Sequence, residues 1–384
     1  MRTVIAALMS MLLVACASGP PMPPAETLFH DEKFSPPSVR IDGADAMAIS
    51  PEMRDYLVAA RISRFARNED RKQRLVEALY SKGELQLEYD AAFTRTAAQA
   101  YEARSGNCLA LVMMTAAFAK ELGLNVRYRV VTGEGEWERT GDLYISVGHV
   151  NLALAEPQRP SIGSFVDTNA VIVDFLPSRS VGARGIRVVG ENTVVAMFLN
   201  NRAVEALTRG AANDAYWWAR EAIRTDPGLG IAYTTLGVIY RNRQLPEFAE
   251  NVFRLVAERE PTNISVLSNR VLALRDLGRD AEAGALQKRV DALDPHPPYS
   301  YFNQGMVALK RHRLEEAKAL FIKEVERAPY QSEFQFWLAV TYAELQDPQR
   351  AADHLKRAMA MSTTNKDRQI YAAKLNLLKA HGVQ

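Results

Sequence analysis

The stretch Asp226-Pro227-Gly228-Leu229-Gly230-Ile231-Ala232-Tyr233-Thr234-Thr235-Leu236-Gly237-Val238-Ile239-Tyr240, continued by Ala249 and Phe253, decides how the second half of the chain folds. Its proline is one of four, at 227, 261, 295 and 329, that recur every 34 residues. Three of them close acidic pairs: Asp226-Pro227, Glu260-Pro261 and Asp294-Pro295. Proline lacks the amide hydrogen that a helix interior needs, so a proline in strict phase ends one helix per period. Between prolines, small residues (Gly237, Ala249) alternate with aromatic ones (Tyr233, Tyr240, Phe253) at helical spacing. That pattern predicts pairs of antiparallel helices, close at the small residues and filled by the rings.

The period and the residues in it resemble the tetratricopeptide repeat. One period earlier, Ala215 and Ala219 stand at the places of Ala249 and Phe253. Later periods are looser, with Leu267, Leu274 and Ala283, then Tyr301, Gly305, Ala317 and Phe321, then Leu338-Ala339, Tyr342, Ala351 and Ala358. About five repeats are expected over residues 193–384, closed by a capping helix over 367–381 that carries Ile370, Ala373 and Leu377. Such stacks generally present a face to a protein or peptide partner.

Upstream, between residues 44 and 192, the patterning changes from helical to alternating. Ser50-Pro51-Glu52 reads as a helix start, residues 90–104 as a helix stopped at Ser105-Gly106, and 108–122 as an apolar helix closed by Gly123. Strands are expected at 126–132, 143–154 and 171–175, and Gly133-Glu134-Gly135 as a connecting turn. Helices followed by an antiparallel sheet make an α+β domain.

Cys108 falls in the first turn of its helix, where unpaired N–H groups and the positive end of the dipole stabilise a thiolate. A thiol nucleophile needs a base, and His149 is the one histidine between His30 and His296. It lies in a strand whose alternation places His149, Asn151 and Ala153 on one face and Val150, Leu152 and Leu154 on the other. An orienting carboxylate comes from Asp174 or, alternatively, Asp167. Cys at a helix start, His on one strand and Asp on the next resemble the transglutaminase-like superfamily, a papain-like cysteine fold. The likeness covers 105–177 through Gly106-Asn107-Cys108-Leu109-Ala110-Leu111, Ala119-Lys120-Glu121-Leu122-Gly123-Leu124, Gly148-His149-Val150-Asn151 and Val173-Asp174-Phe175. It is strongest with bacterial members that join this domain to tetratricopeptide repeats. The resemblance implies Cys108 as nucleophile, His149 as base and Asp174 as orienting acid, acting on peptide or amide bonds through a thioester, with hydrolysis favoured over cross-linking. The family's aromatic residue after the histidine and proline after the aspartate are replaced here by Val150-Asn151 and Phe175-Leu176. An oxyanion-hole side chain would come from Gln86 or Gln99. The alternative is a non-catalytic envelope scaffold in which the repeats bind and this domain is structural.

The first 15 residues pair Arg2 with an apolar run too short to span a bilayer, as in a secretory signal. Leu13-Val14-Ala15-Cys16 resembles the lipobox of bacterial lipoproteins, which implies a lipid on Cys16 holding the chain at a membrane. Ala17 resembles the choice that sorts such proteins to the outer membrane, facing the periplasm. Residues 16–43, with Pro20-Pro21, Pro23-Pro24 and Pro36-Pro37, read as an extended spacer. With Cys16 lipidated, Cys108 is left without a disulfide partner.

At 384 residues with 48% hydrophobic and 24% charged, the composition is that of a globular protein of two domains. Lys plus Arg (47) nearly cancels Asp plus Glu (45), and no basic stripe marks a nucleic-acid binder. One cysteine and isolated histidines in the folded part supply no metal cluster, and no cofactor is expected.

Overall fold

The computed structural model describes residues 24–384 apart from 82–83, 92, 141–142, 156–169, 176–184, 298, 330, 363 and 381–384. After two short 3-10 turns, Ala25–Leu28 and Asp31–Lys33, the elements are α1 (Pro51–Ala59), α2 (Asn68–Tyr80), β1 (Glu88–Tyr89), α3 (Ala97–Ala103), β2 (Ser105–Gly106), α4 (Cys108–Glu121), β3 (Asn125–Thr140), β4 (Leu143–Ala155), β5 (Val171–Val173) and β6 (Gly185–Val189). Helices follow: α5 (Glu191–Thr208), α6 (Ala212–Thr225), α7 (Gly230–Asn242), α8 (Pro246–Arg259), α9 (Ile264–Asp276), α10 (Asp280–Leu293), α11 (Ser300–Lys310), α12 (Leu314–Arg327), α13 (Ser332–Glu344), α14 (Pro348–Met361) and α15 (Asn365–Ala380). The chain thus contains a helical tetratricopeptide-type solenoid preceded by a region of helices around a small sheet.

The second helices of the repeats begin at Ala212, Pro246, Asp280, Leu314 and Pro348, each 34 residues after the last. The packing reason for the phase is visible at two glycines one double period apart. A Cβ on Gly237 would lie 2.5 Å from the Phe253 ring, and one on Gly305 would lie 2.7 Å from the Phe321 ring. Only glycine lets the first helix close onto the ring of the second. In the later repeats Phe302 meets Phe321 at 5.7 Å and Phe334 at 5.2 Å between ring centroids, so one aromatic cluster joins three helices. Glu324 is buried in this cluster because its carboxylate accepts the Phe302 backbone N–H in the first turn of α11, at 3.0 Å. The α15 cap lays Tyr371 and Leu375 against Ala352, Leu355 and Ala358 of α14.

The chain divides into two compact units. One unit combines the N-terminal residues up to Ile41 with Ala203–Leu293; the other combines Asp42–Arg202 with Asp294–Gln384. Leu28 and Phe34 are buried, because aromatic and apolar surface on the first repeats is available to cover them. The prolines fix the local backbone without keeping it off the fold. Residues 1–23, with Cys16, lie outside the described residues, as does the expected signal sequence.

In the second unit, α1 starts as expected, with Ser50 capping Met53 N–H and Pro51 in the first turn. The helix expected over 90–104 is shorter, running only from Ala97. Thr96 and Gln99 form a capping box there, and the residues from Asp90 to Arg95 lead into it. The sheet has the order β5-β4-β3-β6, antiparallel throughout. Gly133-Glu134-Gly135 is not a turn: β3 continues to Thr140, and its register with β4 shifts between Val131 and Glu136. An extra stretch in one strand of a pair is a bulge, for which glycines are suited.

Candidate functional site

The loop before Cys108 is built by sequence signals that agree with one another. Arg104 ends α3 in the left-handed region (φ 49°), which turns the chain sharply into β2. Ser105-Gly106 then pairs in parallel with Glu88-Tyr89, locking the approach to the next helix. A Cβ on Gly106 would lie 2.9 Å from the Ala110 Cβ, so glycine sets how tightly β2 passes the first turn of α4. Asn107 caps that helix by accepting Ala110 N–H at 2.9 Å, and its amide donates to Thr94 Oγ1 at 2.8 Å. Thr94 also accepts from Asn201 of α5 at 3.1 Å. Cys108 is therefore the first residue of a capped helix, and the residue is buried, 6% exposed.

The sheet brings its histidine and aspartate together by register. Leu152 pairs with Val173 across β4 and β5, so the next position, Asp174, comes opposite Asn151 and within reach of His149. Asp174 Oδ2 lies 2.8 Å from His149 Nε2 and accepts Asn151 Nδ2, also at 2.8 Å. Tyr80, at the end of α2, donates its hydroxyl to the Asp174 carbonyl at 2.9 Å and sets its ring 5.7 Å from that of Phe175. The aspartate is thus held through both its side chain and its backbone.

With Nε2 bound to Asp174, the nitrogen left to the His149 ring is Nδ1, which is buried and has no partner of full hydrogen-bond geometry among the described residues. Cys108 is nonetheless its interacting neighbour. Thiol and ring are near enough to influence each other without the alignment of a strict hydrogen bond, as is common in resting sites. Burial alone would push the imidazole down, but the Asp174 carboxylate bonded to Nε2, together with the neighbouring Cys108, outweighs it and raises the group to about 9. At neutral pH the ring therefore carries its proton.

In a nuclear magnetic resonance titration of the full chain, the His149 ring signals should therefore move well above pH 7, towards about 9. Asp174→Asn, which removes a principal raising group, should bring the midpoint down by about one pH unit or more. A wild-type midpoint at the ordinary histidine value of about 6.5 would contradict the arrangement.

Of the residues expected from sequence, Cys108, His149 and Asp174 come together. Asp167 lies outside the described residues. Of the oxyanion candidates, Gln99 accepts Thr96 N–H on Oε1 in the capping box, and Gln86 is exposed with φ 45°. Sequence reading missed Asn151 as a partner of Asp174, although strand alternation had placed it on the face of His149. It also missed Tyr80, whose contact spans 94 residues of chain.

No family model matches the chain. It is 28% identical over 121 residues to the type IV pilus assembly protein PilF of Pseudomonas aeruginosa, which covers 31% of this chain and 48% of that protein. The chain thus spans about half the length of that curated relative. Solved structures similar to part of the chain include TPR proteins. PilW, a type IV pilus biogenesis factor, is 20% identical, covering 50% of this chain and 89% of its own at a TM-score of 0.27. YrrB, a TPR protein with an unusual peptide-binding site, is 20% identical over 47% and 92%, at 0.25. A thermophilic TPR protein of Thermus thermophilus is 16% identical over 47% and 99%, at 0.30.

Proposed function

We propose that this chain is a partner-binding repeat scaffold of the bacterial envelope, serving the assembly of a larger envelope complex. The observation that carries the reading is the series of helix pairs in strict 34-residue phase, packed on seams of small and aromatic residues. Its binding capacity lies in side chains that the seam leaves outside, including the exposed Leu272 on α9 and Val307 on α11. The relation to PilF supports an assembly role, and the lipobox-like Leu13-Val14-Ala15-Cys16 supports anchoring by lipid at the outer membrane, facing the periplasm. Photo-crosslinking amino acids at positions 272 and 307 test it: both should yield an adduct with the same envelope protein, while one at the exposed Phe65 should not.

A second reading is favoured by the meeting of Cys108, His149 and Asp174. In it, the region around the sheet is a transglutaminase-like domain that acts on amide bonds. The Cys108 proton passes to His149 Nδ1 before attack, with Nε2–H held by Asp174. The thiolate adds to a carbonyl, helix-start N–H groups of α4 face the developing oxyanion, and Nδ1–H protonates the departing amine. Water then releases the acid from the thioester and restores the thiol. Asp174 keeps the ring oriented through Nε2, and Tyr80 and Asn151 are positioning residues for Asp174.

A further inference from the structure

The residues between Leu28 and Ser38 are held on the first repeats in the manner of a bound peptide. Several of their main-chain groups are read by side chains. Tyr240 Oη donates to Leu28 O at 2.7 Å, and Tyr216 Oη accepts His30 N–H at 3.0 Å. Trp217 Nε1 donates to Ser35 O at 2.7 Å, and Asp214 accepts Ser38 N–H at 2.7 Å. Asn213 accepts the Ser35 N–H at 3.2 Å. Side-chain recognition is equally specific. Asp31 receives Tyr216 Oη at 2.5 Å and Arg220 Nε at 2.9 Å. Phe34 stacks on Tyr216 with centroids 3.9 Å apart and planes 3° from parallel, and His30 stacks on Phe248 at 3.7 Å. Arg220 lies over Phe29, 5.0 Å from its centroid.

Little of this resembles a packed strand or helix. The segment has two short 3-10 turns, and most of its polar contacts run to α6 and α7 rather than to itself. Hydrogen bonds to main-chain groups give a peptide affinity for a surface, and pockets for its side chains give specificity. Tethering in the same chain supplies a high effective concentration, so a site of modest intrinsic affinity stays filled.

We propose that the start of α6, the end of α7 and the start of α8 form a binding site for a short peptide with an acid flanked by aromatic residues. Here it is filled by residues 28–38, and a partner segment of the same chemistry displaces them. This rests on the partner-binding reading of the repeats and names the chemistry of one ligand.

The test uses the full chain and a fluorescently labelled synthetic peptide with the sequence of residues 25–41. In wild type the tethered copy competes, so the peptide should bind weakly. In Asp31→Ala/Phe34→Ala the internal copy is weakened, and binding should tighten about tenfold or more. Adding Arg220→Ala to that background should remove the gain. If the double variant does not fold, Asp31→Ala alone, which leaves the stacked rings in place, should still tighten binding severalfold. Equal binding to wild type and variants, or binding to none of them, would overturn the proposal. An adduct at position 272 or 307 without peptide exchange would do so while leaving the scaffold reading intact.

Discussion

Phe253→Ala and Phe321→Ala should each lower stability by about 3–5 kcal/mol, the range for removing a fully buried ring. Both rings are wholly buried, and each fills the space that a missing Cβ leaves, Phe253 over Gly237 and Phe321 over Gly305. The glycines cannot collapse into the vacated volume because they have no side chain to move, so most of the cavity persists. The reciprocal substitutions, Gly237→Leu and Gly305→Leu, place carbon where the ring already lies and should cost about 1–3 kcal/mol by overpacking. The two positions sit in different compact units. Repeat stability is a sum of local and nearest-neighbour terms, so each substitution should expose its own helices first. Hydrogen exchange read by mass spectrometry checks this: Phe253→Ala should raise exchange in α7 and α8, and Phe321→Ala in α11 and α12. Uniform loss of protection across the chain in both would contradict the local packing described.

The second large effect is expected at Cys108. At neutral pH a free thiol with the ordinary value of about 8.5 is only a few per cent thiolate. The charged His149 ring stands beside Cys108, and a cation beside a thiol assists its reaction with an electrophile. His149→Ala should therefore slow labelling of the full chain by iodoacetamide about tenfold at neutral pH. Asp174→Asn should be intermediate, because it leaves the ring but weakens its charge and orientation. Tyr80→Phe, which deletes one bond to a main-chain carbonyl, should have a small effect in the same direction. If wild type labels at the rate of a free thiol and His149→Ala changes nothing, the thiol is a buried structural residue and the second reading fails.

The repeats were legible because their signal is a period. Prolines, glycines and rings recur at one spacing, and the second helices start in that phase. Cys108 was legible from its local sequence, since Gly106, Asn107 and the apolar run after them specify a tight approach, a cap and a buried helix. His149 was found by elimination and by alternation, and Asp174 by its strand.

What escaped was non-local. β6 has exposed Ile186 and Val188, and only its pairing with β3 shows where it belongs. The packing of residues 24–41 depends on Tyr216, Tyr240 and Phe248, far along the chain, and a proline-rich stretch with a few aromatic or apolar anchors carries no periodicity to announce that. The helix expected from Asp90 began late because capping at Thr96, rather than apolar spacing, set its start.

The central claim is that partner binding belongs to the repeats and does not need the thiol. It is tested most directly by photo-crosslinking from positions 272 and 307 in cells whose only copy is either the wild-type chain or Cys108→Ala. The scaffold account predicts the same adduct from both positions, in equal yield in the two chains. Loss of the adduct in Cys108→Ala, or adducts from position 65 alone, would contradict it.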